Sequence, residues 1–342
     1  MLPTATILAR GYFNQTRAKT AHGLIRHGRK YKIISVIDET LAGQDAGEIM
    51  GLGKKGIPIV EDIDTSAEIL IIGVAPSGGQ LPLDWRQDII KAIENGIDVV
   101  SGLHEFLNDD PEFAKLAKKY NVSLIDVRKS PDKLYMAQYI KPTVPVILFA
   151  GTDGRCGKRT TLVEIYNVAQ ARGLNPGFIA TGQTGIMIGC DAGVAVDHLP
   201  TDFVAGAIEH AVQEVIKQGK DIILVEGQGA LLHHAYSTST IGILYGARPS
   251  YIILSHKPNR KFRASFPEIP MPMPEKEIEA LELLSREAKV IALSLNCEGA
   301  HNYKEICAEH ENRTGLFTVD VLADSGASNR LLDKITEKIE NK

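Results

Sequence analysis

The sequence predicts an α/β fold built as two consecutive parallel-sheet domains. Three observations predict it. Apolar runs of strand length alternate with amphipathic helical patterns along most of the chain. A polar, proline-bearing stretch at 129–143 interrupts that alternation. One continuous apolar run, 144–150, opens into a glycine loop ending in Lys158 and then into a helical pattern. The chain has 342 residues, enough for two domains at about 150 residues each.

In the first domain, taken as residues 1–128, strands are expected at 4–9, 31–38, 57–60, 69–74, 97–101 and 123–127. Helices fall between them at 20–27, 85–95 and 111–120. Strand–helix alternation implies right-handed crossovers and a parallel sheet, so this is a Rossmann-like domain. Residues 129–143 are the linker, and 144–342 the second domain. There, strands are expected at 144–150, 176–180, 221–225, 251–255, 290–295 and 316–319, with helices after the loop and at 202–218, 275–288, 303–313 and 327–340. Residues 261–274 hold four prolines among few hydrophobics and read as a surface loop, fitting a lid or a contact in a homo-oligomer.

Composition excludes several function classes. Hydrophobic residues make up 44% and charged residues 23%, as in ordinary globular proteins. A net charge of −4 without a basic arm argues against nucleic acid as the main partner. Lys and Arg gather only locally, around the glycine loop and at 257–263. No run approaches the roughly 18 apolar residues of a membrane helix, and no signal peptide is evident. Cys156, Cys190, Cys297 and Cys307 are scattered without metal or disulfide spacing, which fits a reduced cytoplasm.

The glycine loop carries the strongest chemical signal. Strand, Gly151, Gly154, Gly157, Lys158, hydroxyl and helix is the context of a phosphate-binding P-loop, making the second domain a P-loop NTPase-like α/β domain. Backbone N–H groups converge on an anion, and the helix N-terminus adds partial positive charge. The candidate phosphate-binding residues are Gly151, Thr152, Asp153, Gly154, Arg155, Cys156, Gly157, Lys158, Arg159, Thr160 and Thr161.

Other candidates follow from strand ends, where ligands sit in open α/β sheets. Glu226 abuts the apolar strand 221–225, a costly place for a charge unless it is employed. The alternative is a turn cap beside Gly227. The loop after 176–180, with Thr181, Gln183, Thr184 and Gly185, suits close approach to a polar ligand or is a plain mobile loop. Asp197 is a candidate base. Asp202 either binds substrate or supplies helix-terminal charge. His233 and His234 are expected to diverge, with at most one facing the site. In the first domain, residues 73–79 offer backbone N–H groups to an anion or form a turn; Thr20 and His104 lie on the same edge.

Gly-Thr-Asp at 151–153 with Gly157-Lys158, and Val-Glu-Gly-Gln-Gly at 225–229, is similar to the dethiobiotin-synthetase-like branch of P-loop proteins. Adding Ala-Thr-Gly-Gln-Thr-Gly at 180–185, Asp-Phe-Val-Ala-Gly at 202–206 and Leu-Leu-His at 231–233, the chain resembles the DgcN-type D-glutamate N-acetyltransferase family over nearly its whole length. The resemblance implies acetyl transfer from acetyl-CoA to the amino group of a small amino-acid substrate, D-glutamate.

One departure from ordinary P-loops bears on the cofactor. Arg159 stands where nucleotide hydrolases place the Ser or Thr that coordinates Mg²⁺. Arg155, Lys158 and Arg159 instead suit phosphates held without metal, as in CoA. Glu226 or Asp197 would then be the base with His233 assisting. Gly227 or Gly229 N–H groups would meet the oxyanion, and Thr181, Gln183, Thr184, Gly185, Asp202 and Gln228 the substrate. The rival reading is an ATP-dependent ligase or kinase of dethiobiotin synthetase type, with Thr160 and Glu226 on the magnesium of Mg-ATP. A third is a non-catalytic ligand-responsive switch.

Overall fold

The computed structural model describes residues 1–75 and 79–341. Contacts divide the chain into two compact units: residues 1–130 with 183–189, and residues 131–182 with 190–342.

The first unit runs β1 (Thr4–Leu8), α1 (Lys19–His27), β2 (Lys32–Ile37), α2 (Ala46–Ile49), β3 (Ile59–Val60), β4 (Ile69–Ile72), α3 (Arg86–Glu94), β5 (Asp98–Ser101), α4 (Pro111–Tyr120) and β6 (Leu124–Asp126). Its six strands are parallel in the order β3-β2-β1-β4-β5-β6, the doubly wound arrangement of a Rossmann sheet. Local chemistry sets the helix ends. Asp110 accepts the N–H groups of Glu112 and Phe113, Pro111 opens α4, and Asn121 closes it in the left-handed region. The core packs Trp85, Phe13 and Phe113 with the strand aliphatics, and it includes Met187 and Ile188.

The second unit contains β7 (Val146–Gly151), α5 (Lys158–Ala171), β8 (Pro176–Ala180), β9 (Ala192–Gly193), α7 (Thr201–Lys217), β10 (Ile222–Glu226), α8 (Ser237–Ala247) and β11 (Tyr251–His256). It continues with β12 (Phe262–Arg263), β13 (Phe266–Pro270), α9 (Pro274–Ser285), β14 (Lys289–Leu295), α10 (Tyr303–Thr314), β15 (Phe317–Val319) and α11 (Ala327–Glu340). Helix α6 (Gln183–Ile188) lies between β8 and β9 in sequence but groups with the first unit. Seven parallel strands run β15-β14-β11-β7-β10-β8-β9, with β7 in the middle.

Three features differ from the sequence expectation. Residues 181–189 are not a loop: α6 packs Met187 and Ile188 into apolar surroundings, and those contacts outweigh its one glycine, Gly185. Residues 237–247 form a helix that β-branched residues and glycines disguise. Those glycines are contact points, since a Cβ on Gly242 would lie 2.4 Å from Val204 Cγ1 and one on Gly246 2.2 Å from the Ala205 carbonyl oxygen. The proline-rich stretch 261–274 is an ordered antiparallel β12–β13 hairpin leading into α9, with Pro274 in the first helical turn. Among the described residues, no helix is long and apolar enough to cross a membrane.

Candidate functional site

The central strand β7 delivers the glycine loop at its carboxyl end. Neighbouring β10 brings Glu226 and β11 brings His256 to the same edge, with Glu226 in register with Phe149 and Ser255 with Gly151. In the loop Arg155 (φ 56°) and Gly157 (φ 111°) take left-handed conformations, a backbone form that turns successive N–H groups toward an anion. Helix α5 starts without a side-chain cap, so its first N–H groups carry the uncompensated positive end of the helix. Gly151 must be glycine for the loop to fold back: a Cβ there would sit 2.5 Å from Cys156 Sγ.

The loop is braced from inside. Lys158 is buried, and its Nζ donates to the carbonyl oxygens of Asp153 (2.6 Å) and Gly229 (2.8 Å), tying the loop to the segment after β10. The fully buried Asp153 carboxylate accepts from Arg260 Nη1 (2.9 Å) and the Ala264 N–H (2.7 Å) through Oδ2. Arg260 also donates to the carbonyls of Gly154 and Arg155, and Arg263 to those of Thr152 and Leu232. Two guanidiniums thus hold the β12–β13 hairpin against the phosphate loop through charge-assisted bonds.

His233 is buried, with Nε2 3.4 Å from Asp153 Oδ1; neither atom has a hydrogen-bond partner. Its Nδ1 accepts the Ala235 N–H at 3.1 Å, so the neutral ring carries its proton on Nε2. Burial, then the Arg263 charge, pushes this imidazole below its ordinary pKa. On the other side of the loop, Thr152 Oγ1 shares a 2.9 Å hydrogen bond with His256 Nδ1. Burial and the neighbouring His310 lower His256 to about 3.

Glu226 is buried, and its Oε2 accepts the Thr181 N–H at 3.2 Å while the Thr181 hydroxyl donates to its backbone carbonyl. Arg159, half-buried, has a solvent-shielded Nε with no hydrogen-bond partner. Burial lowers its pKa and the Glu226 charge opposes that.

Not every candidate joins this cluster. Thr161 is turned into the core, where its hydroxyl bonds Ser294 Oγ at 2.7 Å. Gln183 and Thr184 bond Thr20 inside the first unit, and Gly185 lies in α6 beside them. Asp197 is exposed on a 3-10 turn and Asp202 in the first turn of α7. The half-buried Gln228 packs over Gly182, where a Cβ would lie 2.2 Å from its Nε2. The Gly227 N–H donates to the Phe149 carbonyl, which removes it as an oxyanion donor. His233 and His234 do not diverge: in the turn after β10 their rings stack at 4.7 Å, with Tyr236 stacked on His233 at 4.5 Å. Only His233 of the pair is buried. The 73–79 anion loop lies partly outside the described residues.

A family model described as the domain of unknown function DUF1611_C, a P-loop domain, matches residues 133–332, and DUF1611_N, a Rossmann-like domain, matches residues 39–130. This chain belongs to the DUF1611 family. A D-glutamate N-acetyltransferase from Tritonibacter scottomollicae is 35% identical over 275 residues, covering 79% of this chain and 82% of the relative. One from a Pseudoalteromonas species is 32% identical over 285 residues, covering 81% and 85%. The crystal structure of a DUF1611 family protein from Anabaena variabilis matches with a TM-score of 0.88 at 32% identity, covering 98% of this chain and 99% of that one.

Several residues that shape this DUF1611 site escaped the sequence reading. Arg260 and Arg263 belong to the basic cluster at 257–263, so their charge was visible and their target was not. His256 sits one residue past an expected strand, the position that flagged Glu226. Glu277 left no signal, reading as a solvent-facing helical acid. It is fully buried on α9 and accepts the N–H groups of Leu231 and Leu232, steadying the turn that carries His233. Burial raises its pKa.

Proposed function

We propose that this DUF1611 protein is an N-acetyltransferase that moves the acetyl group of acetyl-CoA to the amino group of D-glutamate or a similar amino acid. In this reading the P-loop holds the CoA phosphates. The observation that carries it is the pair of curated relatives, both named D-glutamate N-acetyltransferase, each aligned over about four-fifths of both chains.

The residues present suit a diphosphate. Two left-handed loop residues, an uncapped α5 and the unbonded Arg159 Nε supply donors for it, and Lys158, itself bonded within the loop, adds positive charge. Arg155 lies exposed at the rim, where it adds charge to the approach. Glu226, the buried acid beside the loop, attracts the substrate ammonium and takes its proton. The freed amine attacks the acetyl carbon, the carbon–sulfur bond breaks, and the CoA thiol leaves with a proton. His233 acts through Asp153 rather than as a base, because Nδ1 already accepts a backbone N–H and Nε2 carries the proton. Thr181 fixes the Glu226 carboxylate by its N–H.

A thiol-release assay with acetyl-CoA and a panel of D- and L-amino acids, without ATP, tests this reading. Release with D-glutamate is the expected result. Release of ADP from ATP without thiol release would replace it with the ligase reading, and ligand binding without turnover would replace it with a switch. Glu226→Gln should lower turnover by at least roughly a hundredfold if Glu226 is the base.

A further inference from the structure

In P-loops that handle a magnesium nucleotide, a Ser or Thr near the end of the loop holds the ion, together with an acid at the end of a neighbouring strand. This chain keeps the acid and replaces the hydroxyl directly after the lysine. Glu226 ends β10 next to the central strand, buried and fixed by the Thr181 N–H. Arg159 stands in the first turn of α5 immediately after Lys158. Thr160, the next hydroxyl, is turned about 100° around the helix.

The Arg159 side chain is half-buried rather than fully solvated. Its Nε is shut off from water and makes no hydrogen bond, a costly state for a guanidinium unless a ligand or counter-charge completes it. The Glu226 charge opposes the effect of burial on Arg159 ionisation. A divalent ion held at this loop would meet a fixed positive charge in the first turn of α5, and like charges repel strongly where the dielectric is low. A guanidinium meets the same electrostatic demand as the ion, and its paired donors match phosphate oxygens.

We propose that Arg159 takes the place of the divalent cation at this P-loop, so that the loop binds the diphosphate of CoA without metal. The inference rests on the acetyl-CoA reading and assigns the charge that makes that reading work. It also separates Glu226 from metal binding.

Calorimetric titration of CoA into the full-length protein, in excess EDTA and in excess Mg²⁺, tests it. The expected result is the same affinity in both buffers. Arg159→Thr, which restores the hydroxyl, should weaken binding in EDTA by roughly ten- to a hundredfold, the loss of a charge-assisted hydrogen bond. Arg159→Lys should fall between the two, because it keeps the charge and loses the paired donors. Magnesium-dependent tightening in the wild type, or wild-type affinity in Arg159→Thr, would overturn the proposal. If Arg159→Thr fails to fold, the wild-type comparison decides alone. CoA that binds only with magnesium defeats this inference and spares acetyl transfer, whereas no CoA binding in either buffer defeats both.

Discussion

Acidification tests how His256 is held against the phosphate loop. Its ring is 4% exposed, bonds Thr152 Oγ1 through Nδ1, and lies 5.6 Å from the His310 ring. Burial, with the charges of His310, Arg313 and Arg260, lowers its pKa from 6.5 to about 3. Between those values the unfolded chain binds a proton that the folded one refuses, so stability falls as pH falls from 6.5 toward 3 and changes little above 6.5. Each pH unit in that window costs about 1.4 kcal/mol, so the loss at about pH 5 is ~2 kcal/mol. Urea unfolding followed by circular dichroism, at neutral pH and at about pH 5, measures it. His256→Asn keeps a side-chain partner for Thr152 and cannot titrate, so the wild type should lose ~2 kcal/mol more than the variant between the two conditions. Equal losses would show that His256 takes up its proton in the folded state and that the argument from burial is wrong.

Three further outcomes are expected. Glu277→Ala leaves the Leu231 and Leu232 N–H groups without their acceptor and should destabilise by roughly 1–3 kcal/mol in thermal melts; an unchanged melting temperature would mean that water replaces the carboxylate. Gly206→Ala places a Cβ 1.8 Å from the Tyr135 carbonyl oxygen and should cost roughly 1–3 kcal/mol or more as the 131–143 segment is pushed off α7, with greater protease sensitivity there; unaltered stability and digestion would contradict that packing. Asp45 is held below the ordinary carboxylate range chiefly by the Lys55 N–H, with those of Ile57, Glu48 and Gly47 assisting. Its contribution is therefore present above the unfolded carboxylate pKa and lost in acid. Asp45→Asn should be less stable than wild type at neutral pH and converge with it at low pH, whereas a constant gap would refute the linkage.

How much was legible depended on whether a residue's neighbours in sequence were also its neighbours in space. The helices at 111–120 and 327–340 and the strand at 176–180 stand where periodicity and flanking residues put them, because capping and amphipathicity are local. Helix α8 was missed because its glycines answer to α7, some 40 residues earlier in the chain. The 261–274 hairpin reads as a surface loop in sequence because proline density says nothing of Arg260 and Arg263, whose bonds go to residues more than 30 positions away. Adjacent histidines diverge on a strand, but His233 and His234 lie in a turn, where the backbone sets their rings side by side.

By itself the sequence determined two parallel-sheet domains, a phosphate loop at 151–158 and an acid at the end of a neighbouring strand. Glycine conformation, strand hydrophobicity and a lysine at a helix start act over a few residues and can be read there. Tertiary structure alone decided which side chains complete that loop. It drew Thr161 into the core and carried Gln183 and Thr184 into the first unit. It also brought Arg260, Arg263 and His233 around Asp153. The physical reason is that a buried charge must find its counter-charge and a buried donor its acceptor wherever the packed chain supplies them.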